Sequence, residues 1–114
     1  MTVTVDRDSI RENFMDDEEL IFESIDMFFD SSQTRLKALQ EAVKERDDNK
    51  IMNEAHALKG VVGIFSQGEV FDAAKKIEFI GRNKDLTGVD EALKQFETSL
   101  GELIADLKKW RDGD

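Results

Sequence analysis

The chain holds a single histidine, His56, and neither cysteine nor tyrosine. Any chemistry that needs an imidazole must therefore pass through this one ring. Thiol catalysis, disulfides and cysteine-ligated zinc are excluded. Neutral imidazole is a nucleophile near physiological pH, because its ordinary pKa is about 6.5. The neighbours read Ala55-His56-Ala57-Leu58-Lys59-Gly60-Val61-Val62-Gly63. At about 100° per residue of helix, Ile51, Leu58, Val61, Val62 and Phe65 form one apolar stripe, and it faces away from His56. Gly60, Gly63 and Gln67 fall on the histidine's own face. Lys59 and Met52 flank that face on one side and Ile64 on the other.

Two glycines within a helix are locally unfavourable, together by about 2 kcal/mol relative to alanine. A face that needed only solubility would carry Lys, Glu or Gln there. Close approach by another surface accounts for Gly60 and Gly63, since no Cβ stands in the way. Lys59 supplies a mobile cation for an anion formed on the ring. An outward imidazole with a clear approach and an adjacent cation suits transient phosphorylation on nitrogen. Met52 and Ile64 fit an apolar docking patch beside it, and Gln67 is within reach to hydrogen-bond the second ring nitrogen.

The elements that must carry this face are helical. Asp8 is expected to cap a short helix through about Phe14, after an extended lead-in from Met1 to Val5. Asp16 or Asp17 starts a long helix with apolar or small residues at Ile21, Ile25, Phe28, Ser32, Leu36, Leu39 and Val43, ending near Arg46. Asp47 or Asp48 caps the histidine helix, which carries Ile51, Ala55, Leu58, Val62 and Phe65. Ser66-Gln67-Gly68 interrupts, and a helix from about Glu69 carries Val70, Phe71, Ala74, Ile77 and Ile80. Gly81 to Gly88 reads as a break, with Thr87 as the cap of the last helix. There Val89, Leu93, Phe96, Leu100, Leu103, Leu107 and Trp110 repeat at steps of four and three, the seam of a bundle helix. No strand pattern appears. The expectation is an all-α fold: an up-down-up-down antiparallel four-helix bundle with a short N-terminal helical extension. One domain is expected over residues 1–114, with the core bundle at about 16–111.

Sixteen Lys and Arg stand against 26 Asp and Glu, a formal net charge of −10. That balance argues against nucleic acid or an anionic membrane as partner. No apolar run approaches the roughly 20 residues of a membrane span, and no basic-then-apolar leader stands at the start. A cytoplasmic protein is expected. The acids from Asp16 to Glu19 read as a helix N-terminus; a calcium loop needs a longer alternating ligand pattern with a fixed glycine. No metal site and no bound cofactor are expected.

The segment His56-Ala57-Leu58-Lys59-Gly60 resembles the H-x-L-K-G motif of the histidine-containing phosphotransfer (HPt) domain family. Asp17-Glu18-Glu19-Leu20 followed by Phe28 or Phe29, Leu39-Gln40-Glu41-Ala42, the Asp47/Asp48 turn and Ala73-Ala74-Lys75-Lys76-Ile77-Glu78 are also similar to it. The chain departs from the family at Val61-Val62, often small or hydroxyl residues, and at Ser66-Gln67, often a Gly-Ala pair. The resemblance implies a phosphorelay carrier in two-component signalling. His56 would exchange a phosphoryl group with the aspartate of a response-regulator receiver domain or take it from a histidine kinase, hybrid or not. Lys59 would neighbour the phosphoryl group, and Gly60 would admit the receiver. The family's Mg2+ belongs to the receiver partner, and its members work mostly as monomers. Met1 and the finish after Trp110 favour a standalone protein.

No glycine-rich phosphate loop is visible, so the chain is not expected to be an enzyme with its own ATP site. The competing reading is a helical scaffold that docks a receiver or kinase without transfer. An acid–base enzyme built on His56 is the weakest reading, because a ring on a convex helix face has no pocket to exclude water.

Overall fold

Asp6, Asp17 and Asp47 each accept a hydrogen bond from the backbone N–H three residues on, at 3.1, 3.1 and 3.2 Å. Each thereby satisfies one of the donors that a helix N-terminus leaves unpaired, and each opens a helix. The computed structural model describes residues 5–66 and 68–113. It contains five helices: α1 (Arg7–Asn13), α2 (Glu18–Glu45), α3 (Asp48–Val62), α4 (Glu69–Arg82) and α5 (Val89–Arg111). There is no strand among the described residues. The expected lead-in lies largely outside them.

Three boundaries differ from the sequence reading, each for a local reason. Asp6 rather than Asp8 caps α1, because its carboxylate takes the Ser9 N–H and leaves Asp8 free to pair with Arg11. Gly88 rather than Thr87 precedes α5, with φ +81° in the left-handed region that favours glycine. The Thr87 hydroxyl is engaged elsewhere, donating to Asp85 Oδ1 at 2.7 Å. Gly81 does not end α4, which runs on through Arg82. At the end of α2, Arg46 turns left-handed, its N–H donating to the Val43 carbonyl and that of Asp47 to the Ala42 carbonyl. This closure leaves a very short connection into α3.

The apolar stripes account for the packing. α2 packs on α3 and α5, α4 packs on α3 and α5, and α1 leans on α2. Ile21, Ile25, Leu39, Ile51, Leu58, Ile77, Phe96, Leu100, Leu103 and Leu107 are fully buried between them. Ser32 is buried with them, its hydroxyl donating to the Phe29 carbonyl. The molecule's longest dimension is 42 Å, about what 28 helical residues of α2 span at 1.5 Å each. Beyond α3, Phe65 stays buried, stacked on Phe14 and edge-on to Phe28. These ring contacts fix the turn that follows the histidine helix. Among the described residues no helix is long and apolar enough to cross a membrane.

Candidate functional site

The apolar stripe of α3 turns Ile51, Ala55, Leu58 and Val62 inward. Geometry then sends His56 outward, and its side chain is 67% exposed. The ring is not loose. Its Nδ1 lies 2.8 Å from Glu78 Oε2 on the neighbouring α4. A carboxylate only accepts, so Nδ1 carries the proton, and the lone pair of a neutral ring is left on Nε2. Among the described residues nothing bonds Nε2.

Glu78 is the hub of the site. Its side chain is 4% exposed, and three donors converge on its two oxygens. Lys59 Nζ lies 2.8 Å from Oε1, and Arg82 NH2 lies 2.9 Å from Oε2 alongside the His56 nitrogen. Burial alone raises a carboxyl's pKa, because desolvation penalises the charge. Here the hydrogen bonds and charges of Lys59 and His56 outweigh burial, and the Glu78 pKa falls below its ordinary 4.5. The carboxylate is thus ionised near neutral pH. One buried anion holds two cations beside an exposed nucleophilic nitrogen, on a chain whose net charge is −10.

The remaining expected residues sort as follows. Lys59 does stand beside His56, with its ammonium drawn to Glu78. Gly60 is exposed, and a Cβ built on it would meet nothing within 4 Å. Packing within the chain therefore does not require glycine there. Gly63 is corrected: it is not inside the helix but is the C-cap of α3, its N–H donating to the Lys59 carbonyl at 3.0 Å. Its helix penalty, counted from the sequence, does not apply. Ile64 lies in the turn beyond α3 and is half exposed, at 51%. Met52 is only half-buried, on the side of α3 that meets α4. Gln67 lies outside the described residues; among those described, Glu78 is the partner of a ring nitrogen.

The sequence reading gave Glu78, Gly81 and Arg82 no part in the site: Glu78 entered only within a family-like segment and Gly81 only as the start of a break. A signal was available. Phe71, Ala74, Glu78 and Gly81 are spaced three, four and three, so a lone carboxylate sits on a helix face otherwise apolar or small. A charge on such a face needs a partner from another element. Which element supplies it is a tertiary matter. Among the described residues no group of three or more His, Cys, Asp or Glu is arranged to hold a metal ion.

Residues 23–110 match the family model of the Hpt domain. The fold is similar to the crystal structure of histidine-containing phosphotransfer protein B from Pseudomonas aeruginosa PAO1. The TM-score is 0.81 at 23% sequence identity, over 94% of this chain and 92% of that one. No curated protein matches the sequence.

Proposed function

Because this chain belongs to the Hpt domain family, we propose that it is a phosphorelay carrier in two-component signalling and that His56 is the residue reversibly phosphorylated. The observation that carries this reading is the His56–Glu78 contact: a carboxylate occupies Nδ1 of a side chain that is 67% exposed, and no described residue bonds Nε2. We read residues 1–114 as one such domain, with α2 to α5 as an up-down-up-down antiparallel bundle and α1 as its extension.

In the proposed step, the Nε2 lone pair attacks the phosphorus of an aspartyl phosphate on a receiver domain, in line with the leaving oxygen. The Nε2–P bond forms as the bond to the aspartate oxygen breaks, and the aspartate departs as carboxylate. The imidazole becomes cationic, and Glu78 stabilises it through the Nδ1–H already directed at its carboxylate. Lys59 and Arg82 offset the charge of the phosphoryl oxygens. The reverse displacement unloads the ring onto a second receiver. Gly60 gives the receiver access to the backbone beside His56, and Ile64 and Met52 offer apolar contact at the edge of that approach. The chain is taken to need no cofactor and no metal of its own, Mg2+ staying with the receiver, and no ATP site. It is taken to act as a cytoplasmic monomer without nucleic acid or membrane partners.

The test is incubation with a phosphorylated receiver domain or a histidine kinase and ATP. Acid-labile, base-stable label is expected on the wild-type chain and none on His56→Gln. Stable binding of such partners with no label on the wild-type chain would favour a docking scaffold instead.

A further inference from the structure

Gly81 lies on α4 one turn beyond Glu78 and is buried. A Cβ built on it would lie 2.7 Å from the Met52 backbone nitrogen, 2.9 Å from the Asp48 carbonyl oxygen and 3.1 Å from the Met52 Cα. All three are main-chain atoms of α3, so no side-chain rotation relieves the clash; the two helices would have to move apart. Met52 in turn lies one turn before His56. The Gly81–Met52 contact is therefore the immediate neighbour of the Glu78–His56 contact along the same helix pair. A glutamate arm held in a 4%-exposed setting has little freedom to follow if α4 backs away.

We propose that Gly81 is a positioning residue: its bare backbone lets α4 approach α3 closely enough for Glu78 to hold the Nδ1–H of His56, and so decides which ring nitrogen is free. The proposal deepens the carrier reading by adding a residue that touches neither the imidazole nor any phosphoryl group. Its signature is the His56 tautomer. A neutral histidine without a partner favours the proton on Nε2, the nitrogen that the proposed transfer needs as a lone pair.

The experiment is ring-nitrogen NMR of His56 at a pH where the ring is neutral, in the full chain. It compares wild type with Gly81→Ala, each also in a Glu78→Ala background. Wild type is expected to hold the Nδ1-protonated form as the dominant tautomer, and Gly81→Ala to make it the minor one. Phosphoryl acceptance should fall roughly tenfold, within the range typical when a carboxylate that orients a histidine is lost. In the Glu78→Ala background, where no side-chain acceptor is left for the Nδ1–H, the glycine substitution should change acceptance less than about twofold, because residues coupled through one backbone shift are not additive. Glu78→Asp provides a second route that leaves the close approach at Gly81 untouched. It keeps the charge and shortens the arm by one methylene, and it should lose the Nδ1-protonated form as Gly81→Ala does. Where Gly81→Ala folds poorly, it is measured in a Gly101→Ala background, which is more stable. Retention of the wild-type tautomer in folded Gly81→Ala or in Glu78→Asp, or a full tenfold loss on top of Glu78→Ala, would overturn the proposal. The tautomer readout requires no phosphodonor, so a chain that never accepts label would refute the carrier reading while leaving this inference decided on its own data.

Discussion

Two helix seams in this molecule are built on opposite principles. Along α5, Phe96, Leu100, Leu103 and Leu107 are buried against neighbouring helices, and Gly101 faces solvent with nothing within 4 Å of where a Cβ would be. Between α3 and α4 the seam includes a buried carboxylate, three cationic or N–H donors from two helices, and a glycine against foreign backbone. The first seam holds the fold together by area removed from water, and that force has no direction. The second spends helix propensity and desolvation on fixing one ring nitrogen. α4 and α5 each hold a glycine inside the helix, and the two glycines mean different things. Gly101 is a local weakness with room around it, whereas Gly81 is a requirement of close approach.

The contrast can be broken by substitutions that separate stability from chemistry. The largest effect on stability is expected from Leu103→Ala, which deletes a fully buried side chain. Chemical denaturation should report a loss of about 2–5 kcal/mol, while the protein that remains folded accepts phosphoryl label at the wild-type rate. A slow yet folded Leu103→Ala would show that the apolar seam also tunes the site. Glu78→Gln should do the reverse, lowering acceptance by about 10- to 100-fold with a much smaller effect on stability. Its pH dependence has a definite sign. The native Glu78 pKa is depressed below 4.5, so the carboxylate's contribution is fully present above that ordinary value. It is lost as pH falls through the depressed one. The stability gap between wild type and Glu78→Gln, followed by denaturation against pH, should therefore close in that acidic window.

Smaller effects sharpen the same comparison. Lys59→Ala removes one partly exposed charge contact, the side chain being 25% exposed. Transfer should slow about three- to fivefold, the scale of a single such contact; an unchanged single-turnover rate would make the lysine a bystander. Gly101→Ala should raise stability by about 1 kcal/mol in thermal unfolding, because a helix former replaces glycine in open space. It should leave transfer untouched. A destabilised Gly101→Ala would mean that the outer face of α5 is occupied in the folded protein.

Much of this architecture was readable from spacing. The four-three repeat from Val89 to Trp110 predicts α5 almost residue for residue, since amphipathic periodicity reports one buried face whatever lies opposite. The outward direction of His56 followed from the same arithmetic on α3. The cap errors at Asp8 and Thr87 have a shared cause. Several residues with suitable side chains stood near each helix start, and competing local partners (Arg11 and Asp85) chose among them. Gly63 was misjudged because α3 ends at Val62, two turns after the histidine and before the apolar pattern does; Phe65 remains buried in the turn beyond.

By itself the sequence determined that one imidazole exists, that it stands opposite an apolar stripe and that Lys59 and Gly60 lie beside it. Those are relations within one helix, and a 3.6-residue period encodes them completely. Only the tertiary structure decided that Glu78, 22 residues away, meets the ring at 2.8 Å and gathers Lys59 and Arg82 around the same carboxylate. Contact between two helices depends on how closely their backbones approach and at which turn they meet. At Gly81 that distance is set by an absent side chain, which a periodic pattern registers only as a gap.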